Sequence, residues 1–199
     1  MREALDSQVD GRTRRRLVAM RRVQAVALEL FERDGWDAVS IEAIAAAAEV
    51  GPATIYRNFG SKERVVLWDE YDPMLLAVLT QELETHGVID AMQRALQRAL
   101  AEVYASDRDR ILRRARLMRA TPALLQVTAG DLRVLRGALA ELLRSSKHAR
   151  DELEAAVFAG ALVTALEAAV DHWLDGDGEI PLNRCLHRAF TRLRRLGDA

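Results

Sequence analysis

Apolar residues recur at helical spacing along almost the whole chain. Between about Thr13 and Arg33, the positions Val23, Val26, Ala27, Leu30 and Phe31 fall at i, i+3, i+4, i+7 and i+8, one face of an amphipathic helix. Gly35 stands where a left-handed cap would end it. Ser40 suits the N-cap of a second helix, with Glu42 near the positive end of its dipole and Ile41, Ile44, Ala45 and Ala48 facing inward. Gly51 and Pro52 predict the start of a third helix, in which Ile55 and Phe59, four residues apart, point the same way. Gly60 stops it. Ser61 caps a fourth helix running towards Leu83, with a kink or break expected near Asp72 because of Pro73. Further helical patterns cover about 88–105, 107–118, 123–144, 150–174 and 182–196. Thr121-Pro122 and the stretch from Gly176 to Pro181 separate some of them. With no alternating β pattern of useful length and no internal repeat, the predicted fold is all-α, with about nine helices.

Composition sharpens this picture in three ways. Of 199 residues, 50% are hydrophobic and 30% charged, with a formal net charge of −1, the profile of a soluble globular protein and not of a disordered or fibrous one. The charges are unevenly spread: Gly11 to Arg22 holds Arg12, Arg14, Arg15, Arg16, Arg21 and Arg22 and no acid. Such a block is a candidate electrostatic footprint for nucleic acid, and also what a solvated helix start looks like in an arginine-rich chain. Only Lys62 and Lys147 are lysines, a skew that fits GC-rich coding, so arginine counts alone carry little weight. A single cysteine, Cys185, allows no intramolecular disulfide and fits a reducing cytoplasm. No leader peptide and no membrane span are expected, because no apolar run approaches about 20 residues.

Three short helices joined by tight turns make a helix-turn-helix. Its recognition helix must bury one narrow stripe and present the rest. Ile55 and Phe59 supply the stripe, leaving Pro52, Ala53, Thr54, Tyr56, Arg57 and Asn58 outward or lateral. Small residues at its start permit close approach to base edges, while hydroxyls and guanidinium groups suit phosphates. Lys62 lies in the first turn of the fourth helix, where the dipole disfavours a cation. A phosphate facing that end would resolve the conflict; a solvated side chain would tolerate it. Arg14 and Arg15, from the basic block, join the candidate DNA contacts.

The stretch from Ser40 to Val66, SIEAIAAAAEVGPATIYRNFGSKERVV, preceded by ALELFERDGWDAV from Ala27 to Val39, resembles the DNA-binding domain of the tetracycline-repressor (TetR) family. The likeness runs from about Arg14 to Leu67. It implies that Ser40, Thr54, Tyr56 and Lys62 grip the DNA backbone and that Pro52, Ala53 and Arg57 face base edges. Two positions depart from the family pattern: Glu49 stands where the turn usually has glycine, and Gly51 where the helix usually begins with Ser or Thr. A non-glycine in a left-handed turn costs about 1 kcal/mol or more, and a carboxylate there would repel DNA unless it points away.

The expected organisation is a DNA-binding domain over 1–63, its first 12 residues a flexible basic arm, and a helical ligand-binding and dimerisation domain over 64–199. By resemblance the protein is a cytoplasmic repressor, working as a homodimer on a palindromic operator of double-stranded DNA and released by a small, largely apolar effector. Faces rich in small and branched residues suit a four-helix contact between two copies: Val157, Ala161, Leu162, Ala165 and Ala169 on one helix, Leu186, Ala189, Phe190 and Leu193 on the next. Trp68, Tyr71, Met74, Tyr104, Leu112, Met118, Leu125 and Phe158 are candidate pocket residues, although plain core is the more usual role for any single one of them. Val66–Asp72 and Arg114–Leu125 resemble a subgroup including the mycofactocin-associated regulator, whose ligands are acyl thioesters. Neither a phosphate loop, a nucleophile elbow nor an HExxH motif is present, and the four histidines show no metal spacing with Cys185. No enzyme activity, metal or cofactor is expected. The alternative is a helical adaptor, which would leave the outward Thr54, Tyr56 and Arg57 without a purpose.

Overall fold

The computed structural model describes residues 11–69 and 72–197, the side chains of 72–74, 100–106 and 197 excepted. Nine helices occur among the described residues: α1 (Gly11–Asp34), α2 (Ile41–Ala47), α3 (Pro52–Phe59), α4 (Lys62–Leu67), α5 (Asp72–Leu83), α6 (Val88–Ala120), α7 (Pro122–Ser145), α8 (Glu152–Asp175) and α9 (Leu182–Gly197). No strand is found among them, so the fold is all-α. The chain forms two units, one of Met1–Glu70 with Asp107–Thr128, the other of Tyr71–Ser106 with Ala129–Ala199. The first therefore runs past residue 63 and recruits a segment from mid-chain.

The expected interruptions near Asp72, at Thr121-Pro122 and between Gly176 and Pro181 are present. The helix beginning after Ser61 ends at Leu67, and α5 begins at Asp72 with Pro73 in its first turn, where a missing N–H leaves no hydrogen bond unmade. α6 is two helical stretches joined across a kink, where Asp107 leaves helical geometry at φ −127°, ψ 15°. The unit boundary falls at this kinked residue.

In the first unit, α1 to α4 bury Met20, Val23, Ala27, Leu28, Phe31, Ile44, Ala45, Ile55, Val65 and Val66, together with Leu124 of α7. Gly35, at φ 84°, ends α1 and donates its N–H to the Phe31 carbonyl. Gln24, only 1% exposed, is a polar residue on an apolar face. Its Nε2 protons are shared among the carbonyls of Val65 (3.0 Å), Val66 (3.2 Å) and Trp68 (2.8 Å), and its Oε1 accepts from Arg110 Nη1 at 3.0 Å. These carbonyls belong to the C-terminal end of α4, where the helix leaves its acceptors unpaired. Burial of an amide is tolerated because every end of it is used.

In the second unit, α8 packs along α9 and buries Ala155, Ala159, Leu162, Val163, Ala169, Trp173 and Leu174. Its start is capped from two sides: the N-cap Asp151 accepts from the Glu154 N–H at 2.8 Å, and Glu154 reaches one residue past the N-cap to accept from the Arg150 N–H at 2.6 Å. α8 is also long and apolar enough to cross a membrane by length and composition, with a mean hydropathy of 1.7 over its most apolar window, of which 28% is buried. Leu153, Ala156 and Val157 lie on its open side.

Candidate nucleic-acid interface

The turn between α2 and α3 is built by backbone hydrogen bonds. After the C-cap Ala48, the N–H of Glu49 bonds to the Ala46 carbonyl (3.2 Å) and that of Val50 to the Ala45 carbonyl (3.0 Å), a Schellman arrangement. Glu49 occupies its left-handed position at φ 54°, where glycine is the usual residue. The carboxylate does not stand alone at this surface, because Arg22 of α1 forms an ion pair with it.

α3 divides as a recognition helix must. Ile55 is 0% and Phe59 9% exposed, whereas Tyr56 is 50% exposed and Pro52, Ala53 and Arg57 are open to solvent. Two deeply placed apolar side chains, each worth about 1.5–3 kcal/mol, anchor the helix from one side. Gly51 makes no side-chain cap; Pro52 and the Thr54 N–H bond to the Gly51 carbonyl (2.8 Å) start the helix instead. Gly60, at φ 83°, ends it. Thr54 is half-buried, its hydroxyl 3.5 Å from Arg57 Nη2. Ser40 caps α2 by accepting from the Ala43 N–H at 3.1 Å, which leaves its hydroxyl proton free to donate.

Lys62 behaves differently from both readings of the sequence. Its ammonium donates to the carbonyls of Trp36 (2.9 Å) and Val39 (3.1 Å) and lies 4.3 Å from the centre of the Trp36 ring. The cation disfavoured by the α4 dipole is thus held by the α1–α2 connection, and one of its three protons is left over. Arg14, Arg15 and Arg16 are exposed, and Arg15 Nε bonds back to the Gly11 carbonyl at 3.1 Å. Asn58 connects α3 to this basic stretch, accepting from Arg16 Nε at 3.0 Å and donating to the Thr54 carbonyl at 2.9 Å.

The candidate ligand residues are divided between the two units. Trp68 and Met118 pack on the core of the first unit, and Leu112 is buried. Leu125 is half exposed. Phe158 lies along an open apolar groove with Val88, Ile89, Val157, Leu193 and Leu196. Tyr71 falls outside the described residues, as do the side chains of Met74 and Tyr104. A small apolar cavity of about 20 Å³, room for about one water molecule, sits elsewhere in the second unit, lined by Leu75, Leu76, Leu79, Met92, Leu135 and Leu139, with Leu162 and Phe190 among its other walls. Leucines at helical spacing give one signal for filled core and for cavity wall, so periodicity could not separate them.

The candidate dimer residues split as well. Leu162, Ala169, Leu186 and Phe190 are 0–3% exposed within the second unit and are committed to its own core. Val157 is exposed, and Ala161 and Ala165 are half-buried. The open face of α8 is offset from the predicted one and runs through Leu153, Ala156, Val157, Thr164 and Ala168. Cys185 is buried, and its desolvation pushes the thiol pKa up, away from reactivity. No cluster of metal-ligating side chains is found among the described residues.

The description of the tetR family of bacterial regulatory proteins matches residues 24–67, and that of the MftR C-terminal domain matches residues 86–196. The putative mycofactocin biosynthesis transcriptional regulator MftR of Mycobacterium tuberculosis is 30% identical over 184 residues, 89% of this chain and 90% of the relative. The transcriptional regulator TcmR of Streptomyces glaucescens is 32% identical over 124 residues, 59% of this chain and 55% of TcmR. Among solved structures, Thermus thermophilus FadR in complex with lauroyl-CoA superposes with a TM-score of 0.53 at 23% identity, covering 87% of this chain and 92% of FadR. A helix-turn-helix with this outward set, followed by a C-terminal part of the MftR type, places the chain in the tetR family of bacterial regulatory proteins: it is a DNA-binding transcriptional regulator, not an enzyme.

Proposed function

We propose that the protein is a cytoplasmic homodimeric repressor that binds a palindromic operator and leaves it when a small, largely apolar ligand is bound. The observation that carries the reading is the division of α3, with Ile55 and Phe59 buried and Tyr56 and Arg57 in solvent. In this reading Pro52, Ala53 and Arg57 meet base edges. Ser40, Thr54, Tyr56, Arg14, Arg15 and the remaining Lys62 proton meet phosphates. Two copies joined by a symmetric contact present two such helices to successive major grooves, about 34 Å apart, which requires a palindrome.

The open apolar side of α8 supports the dimer, since an apolar face of that size is seldom left to water. The apolar walls of the small cavity, leucines with Met92 and Phe190, support an apolar ligand, which would have to widen its about 20 Å³ to enter. FadR, a structural neighbour, holds an acyl thioester, and an acyl chain suits such walls. Ligand and DNA oppose each other through a coupling free energy that is equal in both directions.

The test is a duplex enriched from a random library by the full chain, followed by affinity against salt. A regulator enriches a palindrome and binds it with a steep negative salt slope. A helical adaptor enriches nothing. Mass spectrometry of the purified protein under native conditions would identify a retained effector.

A further inference from the structure

We propose that Asn58 and Arg16 form a phosphate clamp at the end of the recognition helix, in which Asn58 is a positioning residue and Arg16 the contacting one. The inference rests on the DNA-binding reading above and adds a contact from α1 to it.

Asn58 has its amide fixed at both ends. Nδ2 donates to the Thr54 carbonyl, one turn back along α3, at 2.9 Å, and Oδ1 accepts from Arg16 Nε at 3.0 Å. Arg16 is exposed, and an untethered arginine at such a site would sample many rotamers. Tethering through Nε does more than slow it. A guanidinium has two edges able to grip a pair of oxygens, one formed by Nε with an Nη and one by the two Nη groups. Asn58 takes the Nε side, which leaves the edge formed by the two Nη groups, one N–H from each, for a second partner. Neither Nη has a protein partner among the described residues. A phosphate, with two oxygens in reach of that edge, matches it in geometry and charge.

The surroundings favour an anion. No acid occurs between Gly11 and Leu28, and Arg14 and Arg15 are exposed on the same helix. The carboxylate of the α2–α3 turn, Glu49, is matched by Arg22. A purely structural tie between α1 and α3 would need the Nε bond alone, and would be indifferent to salt and to the outward edge. Because the contact is with the sugar–phosphate backbone, it adds affinity without sequence preference.

The test uses the full chain and the duplex that the wild type enriches from a random library. Binding is measured by fluorescence anisotropy from 50 to 200 mM salt for wild type, Arg16→Gln, Asn58→Ala and the double variant. Loss of one phosphate contact lowers the magnitude of the salt slope by about 0.9, so that the advantage of wild type over Arg16→Gln shrinks about three- to four-fold across that range. The loss is equal on the enriched duplex and on a scrambled one. Asn58→Ala reproduces part of it and adds nothing once Arg16 is gone. An unchanged slope in Arg16→Gln with wild-type thermal stability overturns the clamp, as does additivity of the two substitutions. A wild type that enriches no duplex overturns the regulator reading and the clamp with it; a wild type that binds while Arg16→Gln matches its slope overturns the clamp alone.

Discussion

The ammonium of Lys62 sits 4.3 Å from the centre of the Trp36 ring while donating a 2.9 Å hydrogen bond to the carbonyl of that same residue. One side chain thereby ties the start of α4 to the connection between α1 and α2. Hydrogen bonds from a charged donor contribute about 1.5–3 kcal/mol, and an exposed cation–π contact about 0.5–1 kcal/mol. Lys62→Ala is expected to destabilise the first unit by about 2 kcal/mol, seen as a lower urea midpoint at unchanged slope. An unchanged midpoint would mean that water serves the Trp36 and Val39 carbonyls equally well. Weakened DNA binding in this variant is therefore interpretable only beside its stability.

Glu49 gives a prediction of the opposite sign. It occupies a left-handed position and pairs with Arg22 across an exposed surface, with side-chain exposures of 76% and 54%. An exposed pair of this kind is worth about 0–1 kcal/mol. Glu49→Gln removes the carboxylate and releases Arg22. Binding to any duplex should tighten at low salt, with a slope steeper by up to about 0.9 if Arg22 takes a phosphate. Glu49→Gly should in addition raise stability by roughly 1 kcal/mol, because the left-handed backbone suits glycine. Unchanged binding by Glu49→Gln would show that the carboxylate faces away from the duplex, and weaker binding that its pair with Arg22 holds the turn in its binding form.

Arg57 and Tyr56 should separate by type of loss. Both are outward on α3. Arg57→Ala is expected to relax sequence preference, losing about 1–3 kcal/mol of discrimination at one base pair. Tyr56→Phe, which deletes one hydroxyl, should weaken binding to every duplex by a similar factor. Affinities for a set of single-base variants of the enriched duplex distinguish the two. A uniform loss in Arg57→Ala would assign that guanidinium to the backbone.

Much of the first unit could be read from the chain because its signals are local. Gly35, Ser40, Pro52, Gly60 and Ser61 each mark a helix end by their own backbone or capping chemistry, and all five act there. Ile55 and Phe59 needed only a four-residue spacing. What could not be read depends on partners far along the chain. Gln24 looks like a misplaced polar residue until Val65, Val66, Trp68 and Arg110, 41 to 86 positions away, surround it. Lys62 looked exposed because its carbonyl partners carry no side-chain signature. In the second unit, α8 is apolar on nearly every side, so its inner and outer faces differ by about one residue of rotation that no periodicity resolves. Leu162 and Ala169 went to the core for that reason, and Val157 stayed outside.

The capped start of α8 predicts how stability responds to acid. Arg150 holds the Glu154 carboxylate through side-chain and backbone hydrogen bonds, lowering its pKa from 4.5 to about 2. A carboxylate with a depressed folded-state pKa stabilises the fold above its unfolded value and loses that contribution as pH falls through the folded one. The contribution should be complete above about pH 5 and vanish between about 4.5 and 2. Glu154→Gln should be less stable than wild type at pH 6, and the gap should close by about pH 2. Because Arg150 is 89% exposed, salt should narrow the gap at pH 6. A gap that persists at pH 2 would assign the effect to packing.

The proposed dimer contact can be tested on the face that the fold leaves open. Val157 is 57% and Leu153 73% exposed, and both lie on one side of α8 beside the groove formed with Val88, Ile89, Leu193 and Leu196. Val157→Glu places a carboxylate on that surface without touching the core of the second unit. In a monomer the change is nearly neutral, as surface substitutions usually are. In a symmetric dimer every substitution occurs twice and each carboxylate must be desolvated, which costs several kcal/mol without a partner. Val157→Glu should therefore sediment as a monomer of unchanged helicity and bind a palindrome with a shallower salt slope, since one recognition helix engages in place of two. Leu162→Glu is the contrasting variant: Leu162 is 2% exposed, so it should unfold the second unit, not dissociate it. A Val157→Glu variant with the mass of the wild type at micromolar concentration would move the interface away from α8.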